Sequence, residues 1–274
     1  MSVLKRLSKS KYFNTVLWIV ILIIVWEIGA TAVAATKRSP ENVLPHLNGI
    51  IESVVSKETI NGSQTAVQMV LENAKATISR ALVGFGIGTA LGFVLALFMS
   101  RFKTVEKIAF PYLMIIQMIP ILGMAPLIFA ITQDISKSRI IIAAILTFYP
   151  VATNTLAGFK AVEKEKHELM ISYAASKFQL YTKTMIPSCI PYFFTGLKIS
   201  APMAITASIL VDTLQGGIGL GCLLSQALKG AMSRYVFWQI VFLSAFIGIF
   251  SFLLMGIIEY VLCPYKRKGN KQEE

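Results

Sequence analysis

Six apolar segments, each long enough to cross a lipid bilayer as a helix, constrain this chain more than any other feature. A helix needs about 20 apolar residues to cross the hydrocarbon core. The chain has 274 residues, of which 55% are hydrophobic and 15% are charged, so it is more apolar and less charged than a soluble domain. The sequence therefore predicts an all-α membrane protein with six transmembrane helices, near residues 14–35, 77–99, 108–131, 138–159, 190–213 and 235–262.

The first apolar segment follows a basic stretch that contains Lys5, Arg6, Lys9 and Lys11. A secretory signal peptide also begins with basic residues, but its apolar core is only about 7–15 residues long. The apolar stretch here is longer. We therefore interpret it as a retained first span.

The distribution of basic residues predicts the orientation of the spans. Cytoplasmic loops of membrane proteins carry an excess of Lys and Arg. With the N-terminus inside, the cytoplasmic stretches hold 16 Lys and Arg and the external stretches hold 9. The pattern therefore predicts that both termini are cytoplasmic, and it explains the net charge of +12 without nucleic-acid binding. The predicted parts are a cytoplasmic segment (1–13), a six-helix transmembrane domain (14–263) and a basic cytoplasmic tail (264–274).

Residues 161–187 form a charged, amphipathic interruption between the fourth and fifth spans. Apolar residues at helical spacing predict a first short helix. Ser176 followed by Gln179 matches a capping box, which predicts a second helix from about Lys177. Pro187 is expected to end that helix before the chain re-enters the bilayer. Such a polar hairpin either receives a protein partner or lies on the lipid surface as an interfacial helix.

A glycine stripe marks span two, where Gly84, Gly88 and Gly92 recur every four residues. Small residues at this spacing let two helices approach closely in lipid. The stripe is therefore expected to pack against another helix of the same chain, with dimerisation of two subunits as the alternative.

Prolines in span three predict a bent or locally unwound helix, because each removes a backbone donor and clashes with the preceding turn. Broken backbone at membrane depth is tolerated only against protein or a water-lined cavity. Span three is thus a candidate for lining a pathway. Polar residues of other spans either line the same pathway or form hydrogen bonds between helices, and Asp212 is either a lining residue or solvated at the outer end of span five. The candidate lining residues are Gln117, Met118, Pro120, Asn154, Thr206 and Asp212.

Catalytic and metal-binding patterns are missing from the sequence. There is no phosphate-binding G-x-x-x-x-G-K-[ST] loop, no H-E-x-x-H zinc motif and no Ser/His/Asp constellation. The three cysteines are far apart and indicate neither a disulfide framework nor a metal site. An enzyme is therefore disfavoured. The remaining classes are a transporter subunit powered by a partner, a self-sufficient secondary carrier or channel, and a membrane scaffold.

The hairpin resembles the cytoplasmic loop of the permease subunits of bacterial binding-protein-dependent ABC importers, a group that includes sulfonate, taurine, nitrate and thiamine-precursor systems. In that loop a Glu-Ala-Ala motif is followed by a glycine and, further on, a proline. Glu168, Ala174 and Pro187 take the glutamate, glycine and proline positions. Further similarity lies in ENVLP (41–45), APLIF (125–129) and GGIGLG (216–221), so that the resemblance extends over about residues 15–265.

The resemblance implies a permease in the bacterial cytoplasmic membrane, working as a homodimer or heterodimer of permeases. It implies two cytoplasmic ATPase subunits, which bind ATP and magnesium in place of this chain, and an external solute-binding protein. The hairpin would contact the ATPase, with polar contacts from Glu168. The resemblance and the hairpin's own residues give these candidate coupling positions: Glu168, Leu169, Met170, Ala174, Ala175, Ser176, Phe178 and Pro187. The chain itself would be non-catalytic, and the polar lining residues favour a small polar or aromatic solute.

Two positions in the hairpin depart from the family pattern. Leu169-Met170 replace the two alanines, and Ala174 replaces the glycine. If the glycine position needs a positive φ, alanine costs on the order of 1 kcal/mol there. The sequence therefore predicts that the first helix runs on slightly or that the turn shifts to residues 175–176.

Overall fold

The computed structural model describes residues 11–37, 43–56, 59, 64–230 and 234–263. Residues 1–10 of the predicted cytoplasmic segment 1–13, the predicted tail 264–274 and residues 41–42 of ENVLP lie outside the described residues. By their contacts, residues 1–70 with 226–240 form one unit, and residues 71–225 with 241–274 form a second unit. We describe each unit by itself.

The described residues are almost entirely helical. In chain order the helices are α1 (Lys11–Thr36), α2 (Leu47–Val55), α3 (Ala66–Arg101), α4 (Lys103–Met118), α5 (Ile121–Thr132), α6 (Ile135–Lys160), α7 (Lys164–Ser172), α8 (Lys177–Leu180), α9 (Ile186–Gln215), α10 (Leu220–Leu228) and α11 (Arg234–Leu262), with a π-helical turn (Tyr181–Met185) between α8 and α9. In this part of the chain five helical segments are long and apolar enough to cross a membrane, or six if the bent pair α4–α5 counts as one span. The prediction of an all-α, multi-pass membrane protein is confirmed.

In the first unit, α1 is held to the segment that follows it. The Trp26 indole donates a hydrogen bond to the Pro45 carbonyl (3.1 Å). The Glu27 carboxylate accepts from the Leu47 amide (2.9 Å) and lies 2.7 Å from Nδ1 of His46. Trp26 also meets Trp238 edge to face, with ring centroids 4.7 Å apart. These contacts fix α2 at one end of α1.

In the second unit, the glycine stripe of α3 packs on α6. A Cβ atom built at Gly84 would lie 2.6 Å from Cβ of Ala143, and one at Gly88 would lie 2.7 Å from Cβ of Thr147. Contacts this short leave no room for a side chain. The expectation that the stripe packs within the chain is therefore confirmed.

The opposite side of α6 packs on α9 in the same way. A Cβ atom at Gly196 would lie 2.9 Å from the Pro150 carbonyl oxygen, and one at Gly158 would lie 3.0 Å from Cα of Cys189. Val151 and Ala152 of α6 are fully buried. Helix α6 is thus the core of this unit, between α3 and α9.

Span three is broken, as its prolines predicted. Helix α4 ends at Met118, Pro120 is the N-cap residue of α5, and the axes of residues 103–118 and 123–132 meet at 108°. Pro126 lies inside α5 without ending it. The break thus occurs at one proline.

Two predicted boundaries were wrong. Span two, predicted near residues 77–99, is the later part of α3, which begins at Ala66 because no proline or glycine interrupts residues 66–83. Pro187 does not end the second hairpin helix. The π-helical turn precedes it, in which the Ile186 amide donates to the Tyr181 carbonyl five residues earlier, and Pro187 falls in the first turn of α9, where its missing donor is tolerated.

Candidate functional site

The polar hairpin has the predicted helix–turn–helix form. Helix α7 ends at Ser172 and α8 begins at Lys177. Ser176 Oγ accepts from the Gln179 amide (3.2 Å), while Gln179 Oε1 accepts from the Ser176 amide (2.9 Å). This reciprocal pair is the predicted capping box. Local side-chain chemistry therefore sets where the second helix starts.

The turn of the hairpin is a Schellman motif with alanine at its left-handed position. The Ala175 amide donates to the Met170 carbonyl (3.0 Å), and the Ala174 amide donates to the Ile171 carbonyl (2.8 Å). Ala174 has a φ of +49°. The expectation of a longer helix or a shifted turn was wrong, because the six-to-one hydrogen bond holds the turn at Ala174 despite its Cβ atom.

Replacing Ala174 by glycine is expected to stabilise the hairpin by about 1 kcal/mol, since glycine adopts a positive φ without a Cβ penalty. The opening of the turn should become roughly fivefold rarer. Hydrogen exchange at the amides of residues 174 and 175 measures this directly. The matched control is Ala175→Gly, which relieves no left-handed residue. Equal exchange rates in wild type and Ala174→Gly would contradict the proposed strain.

Apolar side chains of the hairpin are exposed. Leu169 is 56% exposed, Tyr173 is 76% exposed and Phe178 is 77% exposed. Glu168, Ala174, Ser176 and Pro187 are exposed as well, whereas Met170 and Ala175 are half-buried. Exposed apolar groups clustered on one polar element mark a surface that binds something. The structure thus brings the candidate coupling residues together on one hairpin.

The hairpin continues directly into the fifth span. Helix α8, the π-helical turn and α9 run as one helical segment from Lys177 to Leu214, 38 residues long. At 1.5 Å per residue the contour is about 57 Å. The hairpin and the far end of α9 therefore belong to one continuous helical segment.

The far end of α9 carries a buried ion cluster around Asp212. The Asp212 side chain is 0% exposed, and its Oδ1 lies 2.8 Å from Nε of Arg139 and 3.3 Å from an Nη atom of Arg80. The Thr77 hydroxyl donates to Asp212 Oδ2 (2.7 Å). Arg139 is itself 2% exposed. Of the two alternatives for Asp212, solvation at the outer end of span five is therefore wrong, and in this structure its side chain lines no open surface.

Both arginines of the cluster also hold the loop after α9. Arg80 donates to the Ile218 carbonyl (2.7 Å), and Arg139 donates to the carbonyls of Ile218 (3.4 Å) and Gly216. A Cβ atom at Gly219 would overlap the Asp212 carboxylate, so only glycine fits there. The cluster thus ties the glycine-rich loop to α3 and α6.

A cysteine completes the cluster from α10. The Cys222 thiol donates to the Asp212 carbonyl (3.2 Å), and burial raises the pKa of this thiol above its ordinary value. The thiol therefore stays protonated and keeps its donor role.

Sequence reasoning missed Arg80 and Arg139 as partners of Asp212 and counted them only as topology signals. The sequence does contain a signal for this pairing. Both lie at the edge of an apolar span, and a carboxylate in a membrane span requires a cation or a cavity.

The other candidate lining residues lie at different places. Gln117 and Met118 are exposed at the end of α4, beside Pro120 in the break. Asn154 Nδ2 donates to the Pro150 carbonyl (2.7 Å), and Thr206 Oγ1 donates to the Pro202 carbonyl (3.0 Å).

The side chains of Asn154 and Thr206 form hydrogen bonds within their own helices. The alternative of a hydrogen bond between helices is therefore wrong for these two residues. It is confirmed for Ser208, whose hydroxyl donates to the Thr77 carbonyl (3.4 Å).

A further ion pair joins the last two spans. Lys198 of α9 forms an ion pair with Glu259 of α11. Among the described residues no cluster of three or more His, Cys, Asp or Glu side chains could hold a metal ion. The apolar helices, the broken span and the ion pairs between helices define a helical, multi-pass membrane protein.

The comparisons identify the family. Residues 88–261 match the family model described as "Binding-protein-dependent transport system inner membrane component". The chain belongs to this family and is the permease subunit of an ABC importer, which selects among the classes that the sequence left open.

Curated relatives cover most of both chains. The formylaminopyrimidine transport permease of Halalkalibacterium halodurans is 28% identical over 92% of this chain and 95% of its own length. The nitrate import permease of Synechocystis is 24% identical over 91% and 89%.

Two solved structures share the fold. An amino acid ABC transporter chain matches with a TM-score of 0.62 at 18% identity, covering 74% of this chain and 99% of its own. A methionine ABC transporter in an inward-facing conformation matches with a TM-score of 0.57 at 17% identity and the same coverage.

Proposed function

We propose that this permease moves a small polar or aromatic solute through the bacterial cytoplasmic membrane, driven by ATPase subunits that dock on the hairpin 161–187. An external binding protein delivers the solute, and ATP and magnesium bind to the ATPase and not to this chain. The relatives are named for formylaminopyrimidine and nitrate, both small polar solutes. The observation that carries the proposal is the exposed apolar hairpin at one end of the 38-residue helical segment.

The hairpin supplies a lever of the kind that ATP-driven domain closure can move. Leu169 and Tyr173 present apolar groups to a groove on the ATPase, and Glu168 adds polar contacts. Because α8 continues into α9, rotation of the hairpin tilts α9 against α6. The buried cluster at Asp212 then transmits that motion to the glycine-rich loop on the external side.

The pathway runs beside the break in span three. Met118 is 75% exposed there, and Gln117 offers an amide next to it. Thr206 and Asn154 add polar side chains from α9 and α6. Two permease subunits, identical or homologous, would enclose the route between them, with residues 14–263 acting as one transmembrane domain.

Both termini lie in the cytoplasm in this proposal, with six spans when α4 and α5 are counted together. The excess of basic residues on the hairpin side supports this orientation. A membrane-impermeant maleimide tests it, because the three native cysteines are buried. Lys137→Cys should be labelled from outside intact cells and Lys164→Cys only after lysis. The reverse pattern would overturn the orientation.

Substitution of Leu169 by aspartate is expected to weaken binding of the ATPase at least about tenfold, because an exposed apolar anchor becomes a charge that the ATPase groove must desolvate. Co-purification of the ATPase with detergent-solubilised permease measures the loss. The matched control is Val55→Asp, since Val55 is 74% exposed on α2 and lies on the external side in this proposal. Equal ATPase recovery from both variants would contradict docking at the hairpin.

A further inference from the structure

A groove lies between the end of α3 and the second hairpin helix. Its volume is about 350 Å³, within the size range of ligand sites. The walls are almost wholly apolar and aromatic, with two cations, Arg101 and Lys177, among the lining residues. The lining side chains are those of Val94, Leu97, Phe98, Arg101, Phe102, Lys177, Phe178 and Tyr181.

The two cations are available to a ligand. Arg101 and Lys177 are both exposed, and among the residues that the structure describes neither forms an ion pair. The Arg101 guanidinium lies 5.2 Å from the centroid of the Phe102 ring, which orients it without neutralising it. The charge of the groove is therefore positive and uncompensated.

The apolar part of the groove extends into the span. Val94 lies seven residues before Arg101 on α3, about 10 Å along the helix axis. Phe98 and Phe102 are 53% and 48% exposed, and in the proposed orientation they stand where the chain leaves the span, the level at which aromatic rings collect at membrane surfaces. A partner outside the membrane reaches the cations but not Val94, whereas an amphipathic molecule reaches both.

We infer that this groove binds an acidic phospholipid of the leaflet on the hairpin side, with its phosphate between Arg101 and Lys177 and an acyl chain against Val94 and Phe98. Basic pockets at the membrane surface bind anionic headgroups, and the apolar floor favours a lipid over a soluble phosphate. The assignment to the cytoplasmic leaflet rests on the proposed orientation. The bound lipid would fill the space under α8 and so set the resting position of the hairpin.

Native mass spectrometry of the full chain, purified from bilayers of equal phosphatidylglycerol and phosphatidylcholine, tests the site. Wild type should retain one phosphatidylglycerol with a preference of roughly tenfold or more over phosphatidylcholine. The double variant Arg101→Gln, Lys177→Gln should lose that preference. The matched control is Lys103→Gln, Lys107→Gln, which removes the same charge from exposed residues of the same membrane surface and should keep it.

Three results would overturn the inference. Equal loss of the phosphatidylglycerol preference in both double variants would mean that the lipid is attracted diffusely to the basic membrane surface and not to this groove. Displacement of the lipid by soluble glycerol phosphate at equal concentration would mean a phosphate site without an acyl chain. Loss of the lipid on addition of the ATPase would make the groove an ATPase contact. Failure of the lipid site is distinguishable from failure of ATPase docking, because the Leu169→Asp comparison is made independently of Arg101 and Lys177.

Discussion

Replacing Asp212 by asparagine should lower the free energy of unfolding by about 3–5 kcal/mol, the cost of leaving buried charges without their partner. Asparagine has nearly the same shape and can still accept the hydrogen bond from Thr77. The substitution therefore removes charge and little else. Arg139, which is 2% exposed, would be left among the described residues with the carbonyls of Gly216 and Ile218 and the Cys222 thiol. Unfolding of the detergent-solubilised chain by denaturant measures the loss.

The control for this variant is Asp134→Asn. Asp134 caps α6 by accepting the Lys137 amide (3.0 Å), and this backbone hydrogen bond lowers the pKa of Asp134. Asparagine caps helices about as well as aspartate, so the loss should stay under about 0.5 kcal/mol. A cost for Asp212→Asn as small as that of the control would contradict the claim that the cluster anchors the loop.

Replacing Gly88 by valine should cost about 3 kcal/mol or more, because the new side chain must enter the contact between α3 and α6. A Cβ atom at Gly88 already lies 2.7 Å from Cβ of Thr147 and meets the Ala144 carbonyl. Backbone atoms of a buried helix cannot move aside as a flexible side chain can. The two helices would have to separate along the whole glycine stripe, and the yield of folded chain should fall with the stability.

The same helix offers a matched control in Gly86. A Cβ atom there meets nothing within 4 Å, so valine should be tolerated or slightly favourable in lipid. Both variants place a β-branched residue in the same apolar helix two positions apart. If both unfold at the same denaturant concentration, close packing of the stripe does not determine the stability of this unit.

The fold was predictable where a local pattern determines it. Continuous apolar runs predicted the spans, and the Ser176–Gln179 pair predicted the start of α8, because both depend on residues near one another in sequence. The prediction failed at Pro187. A π-helical turn, which hydropathy does not reveal, joins α8 to α9 just before this proline, so that Pro187 falls in a first helical turn where it is tolerated. It also failed at the start of span two, which was predicted near residue 77, because α3 begins at Ala66.

The candidate site was predictable in its hairpin but not in its ion cluster. Asp212 stood out as an acidic residue in a span, yet its partner Arg80 is 132 residues away in sequence. Pairing over that distance depends on how α3, α6 and α9 pack, which glycine spacing indicates only in part. At Ala174 the failure is local. The hydrogen bonds of the turn outweigh the preference of alanine for a negative φ.

Site-specific photo-cross-linking in the assembled transporter shows whether ATPase subunits act on this permease at the hairpin. A photoreactive amino acid at Leu169 should cross-link to the ATPase, and one at Val55, which is at least as exposed, should not. The yield of the Leu169 product should change when ATP is added, because closure of the ATPase moves the hairpin. Cross-links from Leu169 to lipid alone, with none to the ATPase, would contradict docking of the ATPase at the hairpin.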